Sequence, residues 1–382
     1  MFEKGQGEVM KIKNIMYKMF RKFPIKRNRV LFFSYYGANY GGSPKYLSEY
    51  FVKNNPNLDI VWAFTDVAKH KNIKNLKLVK YSSFKYYYYL ATSHFIITNY
   101  RMTLDFEKRK GQRYIQTWHS SLRLKMIEKD AEDTLPKHYI EMAKKDSKQI
   151  DLLLVGNRKS KQIYEKSFWY DGDYLECGTP QCDLFFEKGK EYKTKVMNGL
   201  GLAGEKKILL YAPTFRKDHN LAVYNVDYEN LKLSLERKFG GEWIILVRLH
   251  PHLLNEVKNL KFNEYIINAT SYDDIQELLG VADAVITDYS ALMFDYILTK
   301  KPCFLYASDY ENYVSTDRRL YFDIKDLPFP ISFNNEELNK QILDFSMEKY
   351  QESCEEFLKQ GIGTWDDGQA CKRVLKYIEG EI

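Results

Sequence analysis

Residues 190–211 read KEYKTKVMNGLGLAGEKKILLY. This stretch indicates the fold class because an alternation of helical patterns and short apolar runs starts again in it. Lys190–Gly199 has a helical pattern, Gly199–Gly204 is a glycine-rich break, and Ile208–Tyr211 is a short apolar run. A short apolar run that follows a turn predicts a buried strand. The stretch therefore separates two domains, and we predict their junction near Cys177–Lys190.

The same alternation of apolar runs and helical patterns continues on both sides of this stretch. Further strands are predicted at Val30–Phe33, Ile60–Phe64, Phe95–Thr98, Tyr114–Thr117, Leu152–Val155, Trp243–Val247, Ala284–Thr287 and Cys303–Tyr306. Helices are predicted between them at Lys45–Phe51, Ser83–Ala91, Asp273–Val281 and Ser290–Thr299. Such alternation predicts βαβ units and parallel sheets. We therefore predict an α/β fold of two doubly wound domains, residues 28–186 and 187–382, after a basic segment at 1–27.

A cleft between two such domains would lie at the carboxyl ends of both sheets, where open α/β sheets bind ligands. The chain has 382 residues, enough for two domains, and its Lys and Arg residues exceed Asp and Glu by 7. This surplus favours anionic partners such as nucleotide phosphates or acidic lipids. Because it is spread along the chain, no nucleic-acid partner is predicted.

The five cysteines have no CxxC spacing and their number is odd, which predicts buried free thiols in a reducing compartment. The opening residues lack a secretory signal. No stretch reaches the roughly 18 apolar residues of a membrane span. A soluble or peripheral protein is the expectation.

Lys11–Arg27 reads KIKNIMYKMFRKFPIKR, a basic segment with helical spacing. One predicted face carries Ile12, Ile15, Met16, Met19, Phe20 and Phe23, and Lys11, Lys18, Arg21 and Lys22 occupy much of the rest. Such a helix can lie in the headgroup layer of an acidic membrane. The alternative is a helix packed on its own domain. The density of cations favours the membrane.

The first chemical motif is QTWHSS at 116–121, directly after a predicted strand. His119 would lie where ligands bind, and its near-neutral pKa suits proton transfer. The alternative is a histidine that hydrogen-bonds within a turn.

The second motif is YAPTFR at 211–216, again at a strand end. The hydroxyl of Thr214 and the planar fork of donors on Arg216 suit a phosphate group. The alternative is an arginine that closes an ion pair.

The third motif is RLHPH at 248–252, after the strand Trp243–Val247. Alternation places Arg248 and His250 on one side of the backbone. His250 could donate to a phosphate oxygen or protonate a leaving group. Two close histidines can also bind a metal, but no Cys or carboxylate cluster accompanies them, and no metal is predicted.

The fourth motif combines ATSYDDIQELL at 269–279 with AVITDYSA at 284–291. Ser271 is predicted to cap a helix, and a capped helix alone would explain the first segment. In the second segment the hydroxyls of Thr287 and Ser290 would join free N–H groups in an anion site at a helix start. Asp288 would orient that turn, because a carboxylate repels phosphate.

The chain has no P-loop, GxGxxG or GxSxG motif, so readings as a nucleotide hydrolase, dehydrogenase or serine hydrolase lose their main support. In their order along the chain, the motifs resemble those of the CDP-glycerol glycerophosphotransferase family of teichoic-acid and capsule synthesis. The resemblance rests on QTWH at 116–119, YAPTFR at 211–216, RLHP at 248–251, TDYS at 287–290, the helix at 291–302 and YFD at 321–323.

The fold of that family is the two-domain GT-B arrangement, in agreement with the tandem prediction above. The resemblance implies that the C-terminal domain binds a CDP-activated donor and that His119 is the base on the acceptor hydroxyl. The predicted catalytic residues are His119 and His250, and the predicted donor-binding residues are Thr214, Arg216, Arg248, Ser271, Thr287, Asp288 and Ser290.

The resemblance also implies a lipid-diphosphate-linked saccharide acceptor at the cytoplasmic face of the membrane. Arg123–Lys148, with Leu124, Met126 and Ile127, matches the region where family members add membrane-contacting helices. The expected donor is CDP-glycerol or CDP-ribitol. No cofactor is predicted, and a requirement for a divalent ion stays open.

One departure concerns the acceptor side, where the family usually has His-Gly-Thr and this chain has His119-Ser120-Ser121. Ser121 can replace threonine as a hydroxyl donor. Ser120 in place of glycine requires a backbone without positive φ, or strain.

The predicted reaction is transfer of a polyol phosphate with release of CMP. The alternatives are a GT-B glycosyltransferase that uses a sugar nucleotide, and a non-catalytic membrane-bound scaffold with the same fold. The presence of His119, His250 and Arg216 argues against the scaffold.

Overall fold

A computed structural model describes residues 15–103, 106–187, 191–202, 204–216, 221–249, 262–316 and 319–382. Strands and helices alternate along these segments. The helices are 15–20 (α1), Gly42–Asn54 (α2), Phe84–Thr92 (α3), Lys137–Ser147 (α4), Arg158–Ser167 (α5), Glu191–Gly199 (α6), Tyr228–Phe239 (α7), Ile275–Val281 (α8), Leu292–Tyr296 (α9), Tyr310–Thr316 (α10), Asn335–Leu343 (α11), Met347–Glu356 (α12) and Ala370–Glu381 (α13).

The first sheet has seven parallel strands in the order β3-β2-β1-β4-β5-β6-β7. They are Lys26–Phe33 (β1), Asp59–Phe64 (β2), Lys77–Lys80 (β3), Ser93–Thr98 (β4), Arg113–Gln116 (β5), Leu152–Val155 (β6) and Asp173–Glu176 (β7). The order reverses between β1 and β4, which is where a doubly wound sheet opens a crevice at its carboxyl end.

The second sheet has six parallel strands in the order β10-β9-β8-β11-β12-β13. They are Lys207–Tyr211 (β8), Trp243–Val247 (β9), Ile266–Asn268 (β10), Ala284–Thr287 (β11), Cys303–Tyr306 (β12) and Ile331–Ser332 (β13). The same reversal lies between β8 and β11. The prediction of two doubly wound parallel sheets is therefore confirmed.

The predicted strands all form, with bounds within about two residues except that β1 begins four residues before Val30. The sequence did not indicate the four other strands. β3, β7, β10 and β13 lie on the outer flanks of the two sheets. β7 has no buried residue and β3 has one, so neither shows the continuous apolar run of a central strand.

The first sheet is covered on both faces, and the chain end takes part in this cover. One face packs against α1 and α3, which contribute Tyr17 and Tyr86 to a shared core. The other packs against α2 and α13, with Phe51 and Val374 in a second core. The last helix of the predicted second domain thus belongs to the core of the first, and a single boundary at 186/187 does not separate the two cores.

The described part of the basic N-terminal segment is helical only at 15–20, because β1 already begins at Lys26. Tyr17 and Phe20 are buried, whereas Ile15, Met19 and Phe23 are exposed. The apolar residues therefore divide between the core and the surface, and membrane contact of the exposed side chains stays a prediction. Residues 1–14, including Lys11 and Ile12, lie outside the described residues.

Two expectations about buried and membrane-facing residues have different outcomes. All five cysteines are buried and free, as predicted. Leu124 and Ile127 are buried in the core, so these two side chains of the Arg123–Lys148 region do not face a membrane. Among the described residues, no helix has the length and apolar character needed to span a bilayer.

Candidate active site

A cleft of about 680 Å³ lies between the two domains at the carboxyl ends of both sheets. The first domain contributes His119 and Ser120 to its wall, and the second contributes Thr214, Arg248 and Ser290. The motifs from the two halves, far apart in sequence, therefore meet in one cavity.

His119 lies in the loop after β5, and the backbone just before it is strained. Trp118 has a φ of 52°, in the left-handed region that costs a residue with a side chain about 1–3 kcal/mol. Its N–H donates to Oε1 of Gln116 at 3.0 Å, which holds this turn. Ser120 is not among the positive-φ residues, so its replacement of glycine adds no strain. The strain lies at Trp118 instead.

The His119 imidazole is half-buried between two aromatic rings, Tyr100 at 5.5 Å and Trp118 at 4.7 Å between ring centroids. Burial lowers its pKa well below the usual 6.5, and the Arg123 guanidinium lowers the pKa further, while the backbone of Asn99 acts in the opposite direction. The ring is therefore neutral near pH 7. A neutral imidazole can accept a proton from a hydroxyl group.

Ser120 holds the loop through its hydroxyl, and Ser121 holds it through its backbone. Ser120 Oγ donates to the carbonyl of Leu122 and accepts from Arg123, both at 2.9 Å. The Ser121 N–H donates to Oδ1 of Asp295 in the second domain at 2.9 Å. Ser120 borders the cleft and Ser121 does not, but the buried Ser121 Oγ has no hydrogen-bond partner among the described residues, so its acceptor-side role stays a prediction.

Thr214 borders the cleft in the loop after β8. Its N–H donates to Oδ1 of Asp288 at 2.8 Å, and Asp288 also accepts the N–H of Tyr289. Asp288 thus holds both the Thr214 loop and its own turn at 287–290. The sequence predicted this orienting role because a carboxylate repels phosphate. The Thr214 Oγ1 is buried without a hydrogen-bond partner in the described part of the chain, so it can serve a ligand. Thr287 cannot, because its buried hydroxyl donates to the carbonyl of Ala212 at 2.7 Å.

Among the predicted donor-binding residues that the structure describes, Arg216 departs most from the expectation that it contacts phosphate. It is buried, and every nitrogen of its guanidinium already donates within the domain. Nε and Nη2 contact Asp309 at 2.7 and 3.0 Å, Nη2 contacts Asp288 at 2.8 Å, and Nη1 donates to the carbonyl of Thr214 at 2.6 Å. Arg216 therefore braces the Thr214 loop, and the ion-pair alternative describes it.

Arg248, after β9, has the opposite environment. It borders the cleft, and among the described residues the single contact of its guanidinium is a 3.2 Å bond to the carbonyl of Tyr272. Burial lowers the pKa of its guanidinium, while Asp274, Tyr35 and Asp273 act in the opposite direction, and an arginine side chain stays protonated at neutral pH. It is available to an anionic ligand. His250, the other predicted catalytic histidine, lies outside the described residues.

The two predicted helix starts lie later in the chain than expected. α8 begins at Ile275 with Asp274 as its cap, because the Asp274 side chain accepts the N–H of Gln276 at 2.9 Å. Ser271 is exposed in the preceding turn, so it is not the cap. Ser290 borders the cleft, but α9 begins at Leu292 and is short.

A buried ion-pair cluster joins the domains next to the cleft. Lys45 on α2 contacts Asp274 at 2.6 Å and also Glu277, and the Tyr46 hydroxyl donates to Asp274 at 2.7 Å. Lys45 is 1% exposed. The sequence predicted the helix but not this role, because the partner carboxylates lie more than two hundred positions away.

Several cleft residues were absent from the predicted site: Tyr35, Tyr100, Arg123, Lys125, Gln276 and Asp295. Asp295 had a usable signal, since it is a carboxylate among the apolar residues of the helix LMFDYIL at 292–298. A charge at such a position indicates a partner that pairs or hydrogen-bonds with it. The others lie in loops or at helix starts, where no periodicity marks them.

Comparison with known proteins supports the order of motifs found in the sequence. The model of the CDP-glycerol:poly(glycerophosphate) glycerophosphotransferase family matches residues 15–380. The chain belongs to this family. The family recognised from the motifs is therefore confirmed.

Two curated members of this glycerophosphotransferase family are similar over nearly the whole chain. The teichoic acid poly(glycerol phosphate) polymerase of Staphylococcus epidermidis is 32% identical over 374 residues, which cover 94% of this chain and 51% of that protein. The teichoic acid glycerol-phosphate transferase of Staphylococcus aureus is 29% identical over 380 residues, 95% of each chain. The chain thus spans about half the length of the S. epidermidis relative.

The wall teichoic acid polymerase TagF is a structural relative, with a TM-score of 0.85 and 29% identity over 100% of this chain and 96% of that one. A histidine variant of TagF soaked with CDPG is similar at a TM-score of 0.82. TagF has the GT-B fold, so the predicted fold class is confirmed.

Proposed function

We propose that this glycerophosphotransferase family member transfers glycerol phosphate or ribitol phosphate from its CDP-activated form to a hydroxyl group of a lipid-linked acceptor. The observation that carries the proposal is the cleft in which a neutral His119 and a cationic Arg248 border one cavity from opposite domains. A base on one wall and a cation on the other suit an attack on a phosphorus atom.

In this proposal the acceptor hydroxyl gives its proton to His119 while its oxygen attacks the donor phosphorus next to the polyol. The bond from that phosphorus to the bridging oxygen of the pyrophosphate breaks, and CMP leaves with the electron pair. Arg248 and the Thr214 hydroxyl face the pyrophosphate and offset its growing charge. Phosphoryl transfer needs mainly such positioning and electrostatic stabilisation. Arg123 and Lys125 make the first-domain wall of the cleft cationic near the base.

Arg216 has a supporting role in this scheme, which differs from the direct contact that the sequence suggested. It holds the Thr214 loop through Asp288 and Asp309. No cofactor enters the scheme. The donor substrate is the CDP-polyol itself.

The acceptor is proposed to be a saccharide on a lipid diphosphate, reached from the cytoplasmic face of the membrane. An exposed apolar patch on the first domain supports this, because Ile15, Met19, Phe23 and Phe84 are 44–66% exposed there. Exposed Lys18 and Lys22 lie on the same segment. Apolar side chains beside cations are typical of an interfacial helix on anionic lipid.

Vesicle sedimentation tests the membrane surface. The double variant Lys18→Glu/Lys22→Glu should bind vesicles that contain phosphatidylglycerol at least tenfold more weakly, because each basic residue contributes about 1 kcal/mol at an anionic surface. The matched control is Lys372→Glu/Lys376→Glu on α13, which covers the opposite face of the first sheet. Equal losses in both double variants would argue against a membrane role for the N-terminal segment.

CMP release tests the reaction. The wild-type protein is incubated with CDP-glycerol and, in parallel, CDP-ribitol, with and without a lipid-linked disaccharide and with and without a chelator. Acceptor-dependent release from one donor supports the proposal and names the polyol, and the chelator arm decides whether a divalent ion is needed. No release from either donor, with release from a sugar nucleotide instead, would replace the proposal with the glycosyltransferase alternative.

A further inference from the structure

Asp295 on α9 is a buried carboxylate, 2% exposed, that hydrogen-bonds to both domains. Its Oδ1 accepts the N–H of Ser121, two residues after His119, at 2.9 Å. Its Oδ2 accepts two side-chain amides at 2.7 Å each, from Gln181 and from Gln276. In the described part of the chain no Lys or Arg pairs with it, so these N–H donors are what stabilises its charge.

This arrangement fixes which end of each amide faces Asp295. A carboxylate only accepts hydrogen bonds, so the NH₂ group of each glutamine must point toward it. The carbonyl oxygen of each amide then points elsewhere. In Gln181 that oxygen is used, because it accepts the N–H of Ser43 at 3.1 Å.

In Gln276 the carbonyl oxygen is not used. Gln276 is 1% exposed, it borders the cleft, and its Oε1 has no hydrogen-bond partner among the described residues. A buried acceptor without a donor costs about 1–3 kcal/mol, and native proteins seldom keep one without a reason. The oxygen can only accept, since Asp295 holds the amide in this orientation. The group that satisfies it must therefore carry an O–H or N–H.

We propose that Gln276 Oε1 accepts a hydrogen bond from a hydroxyl of the polyol unit under transfer, so that Gln276 selects donors with a hydroxyl at that position. This inference rests on the proposed function and adds a residue that reads the polyol. It also explains why one carboxylate holds both Gln276 and the His119 loop. Asp295 keeps the polyol contact and the base in a fixed relation across the domain boundary.

Donor analogues that lack one hydroxyl test the contact. The ratio of kcat/KM is measured for CDP-glycerol against CDP-1,3-propanediol, which lacks the secondary hydroxyl, and against CDP-1,2-propanediol, which lacks the terminal one. The wild-type protein should prefer CDP-glycerol over one of these analogues about 10- to 100-fold, as expected for one buried hydrogen bond.

Gln276→Met keeps the length of the side chain and removes the acceptor. This variant should be slower with CDP-glycerol but not with the affected analogue, so the preference should fall to about threefold or less. Gln181→Met is the matched control, because it removes an equivalent bond to Asp295 whose amide oxygen is already occupied. It should keep the wild-type preference even where its rate falls. Asp295→Asn, which no longer dictates the orientation of Gln276, should also lose preference.

The results distinguish a failure of the Gln276 contact from a failure of the proposed function. Turnover of CDP-glycerol without discrimination in the wild type, or an unchanged preference in Gln276→Met, would overturn the inference and leave the proposed function intact. A loss of preference in Gln181→Met equal to that in Gln276→Met would overturn it as well. No CMP release from either CDP-glycerol or CDP-ribitol by the folded wild-type protein would remove the proposed function and this inference with it.

Discussion

Arg216 and Arg248 follow neighbouring strands, β8 and β9, at the same end of the second sheet, and the sequence suggested the same task for both. Arg216 is surrounded by Asp288, Asp309 and the carbonyl of Thr214. Within the described ranges Arg248 has one carbonyl contact, and it borders the cleft. Position at a strand end thus brings an arginine close to a ligand site, but neighbouring carboxylates decide whether its donors remain available.

This difference has a physical consequence for function. A guanidinium between two carboxylates is neutralised and rigid, so it supports a loop well and attracts an anion poorly. A partly buried guanidinium that makes no ion pair with a carboxylate keeps donors for a ligand in a setting of reduced dielectric, where its attraction to phosphate is strong. The two arginines therefore divide support and binding between them.

The largest difference between the two arginines is expected in the stability of the protein. Arg216→Ala leaves Asp288 and Asp309 without their cation in a buried site, so the free energy of unfolding should fall by about 3–5 kcal/mol. Chemical denaturation of the variant and the wild type measures this. A loss below about 1 kcal/mol would mean that the ion pairs contribute little and that the division of roles is wrong.

Arg248→Ala should have a smaller effect in free energy, and this effect should be on donor binding rather than on stability. Loss of a charge-assisted hydrogen bond of about 1.5–3 kcal/mol should raise the dissociation constant of the CDP-linked donor about 10- to 100-fold, with the midpoint of unfolding nearly unchanged. Calorimetric titration measures the affinity, and Arg248→Lys should recover part of it because the charge remains. Unchanged donor affinity in Arg248→Ala would show that Arg248 does not bind the donor and that the two arginines do not divide support and binding.

A third arginine, Arg123, should affect the pH dependence of the rate. His119 must be neutral to accept a proton, so the acid limb of the kcat/KM profile should lie below pH 6.5, in line with its lowered pKa. Arg123→Gln removes a cation that disfavours the protonated ring, so the pKa should rise and the limb should move toward neutral pH. The shift should be partial, because burial is the main cause of the lowered pKa.

Lys125→Gln is the control for this experiment, since Lys125 borders the same wall but is not among the groups that shift His119. Its acid limb should stay where the wild type has it. A limb that moves to lower pH in Arg123→Gln, or that moves equally in both variants, would contradict the assignment of His119 as the titrating base.

The features that sequence reasoning recovered are those set by short-range patterns. The central strands form continuous apolar runs, and the motifs follow them directly, so both the sheets and the location of His119, Thr214 and Arg248 were predictable. The environment of Arg216 was not, because Asp309 lies 93 positions away in the sequence. The same limit applies to the cluster around Lys45 and to the contacts of Asp295, which form only when two domains meet.

Local rules also failed where two candidates competed for one role. Ser271 and Asp274 are both good caps, and the helix begins at the later one. The outer strands β3 and β7 lack a buried side and therefore lack the pattern that identifies a strand. α13 has an ordinary amphipathic pattern, and nothing in that pattern shows that it packs on the first sheet rather than the second.

The proposed role of His119 as the base is tested by comparing CMP release and donor binding in the wild type and in His119→Ala. The donor is the CDP-polyol that the wild type uses, and the acceptor is the lipid-linked disaccharide. The account predicts a loss of turnover of about 10²- to 10⁴-fold, with donor affinity nearly unchanged, because His119 acts on the acceptor hydroxyl. A variant that keeps near-full turnover, or that loses rate only through weaker donor binding, would contradict it.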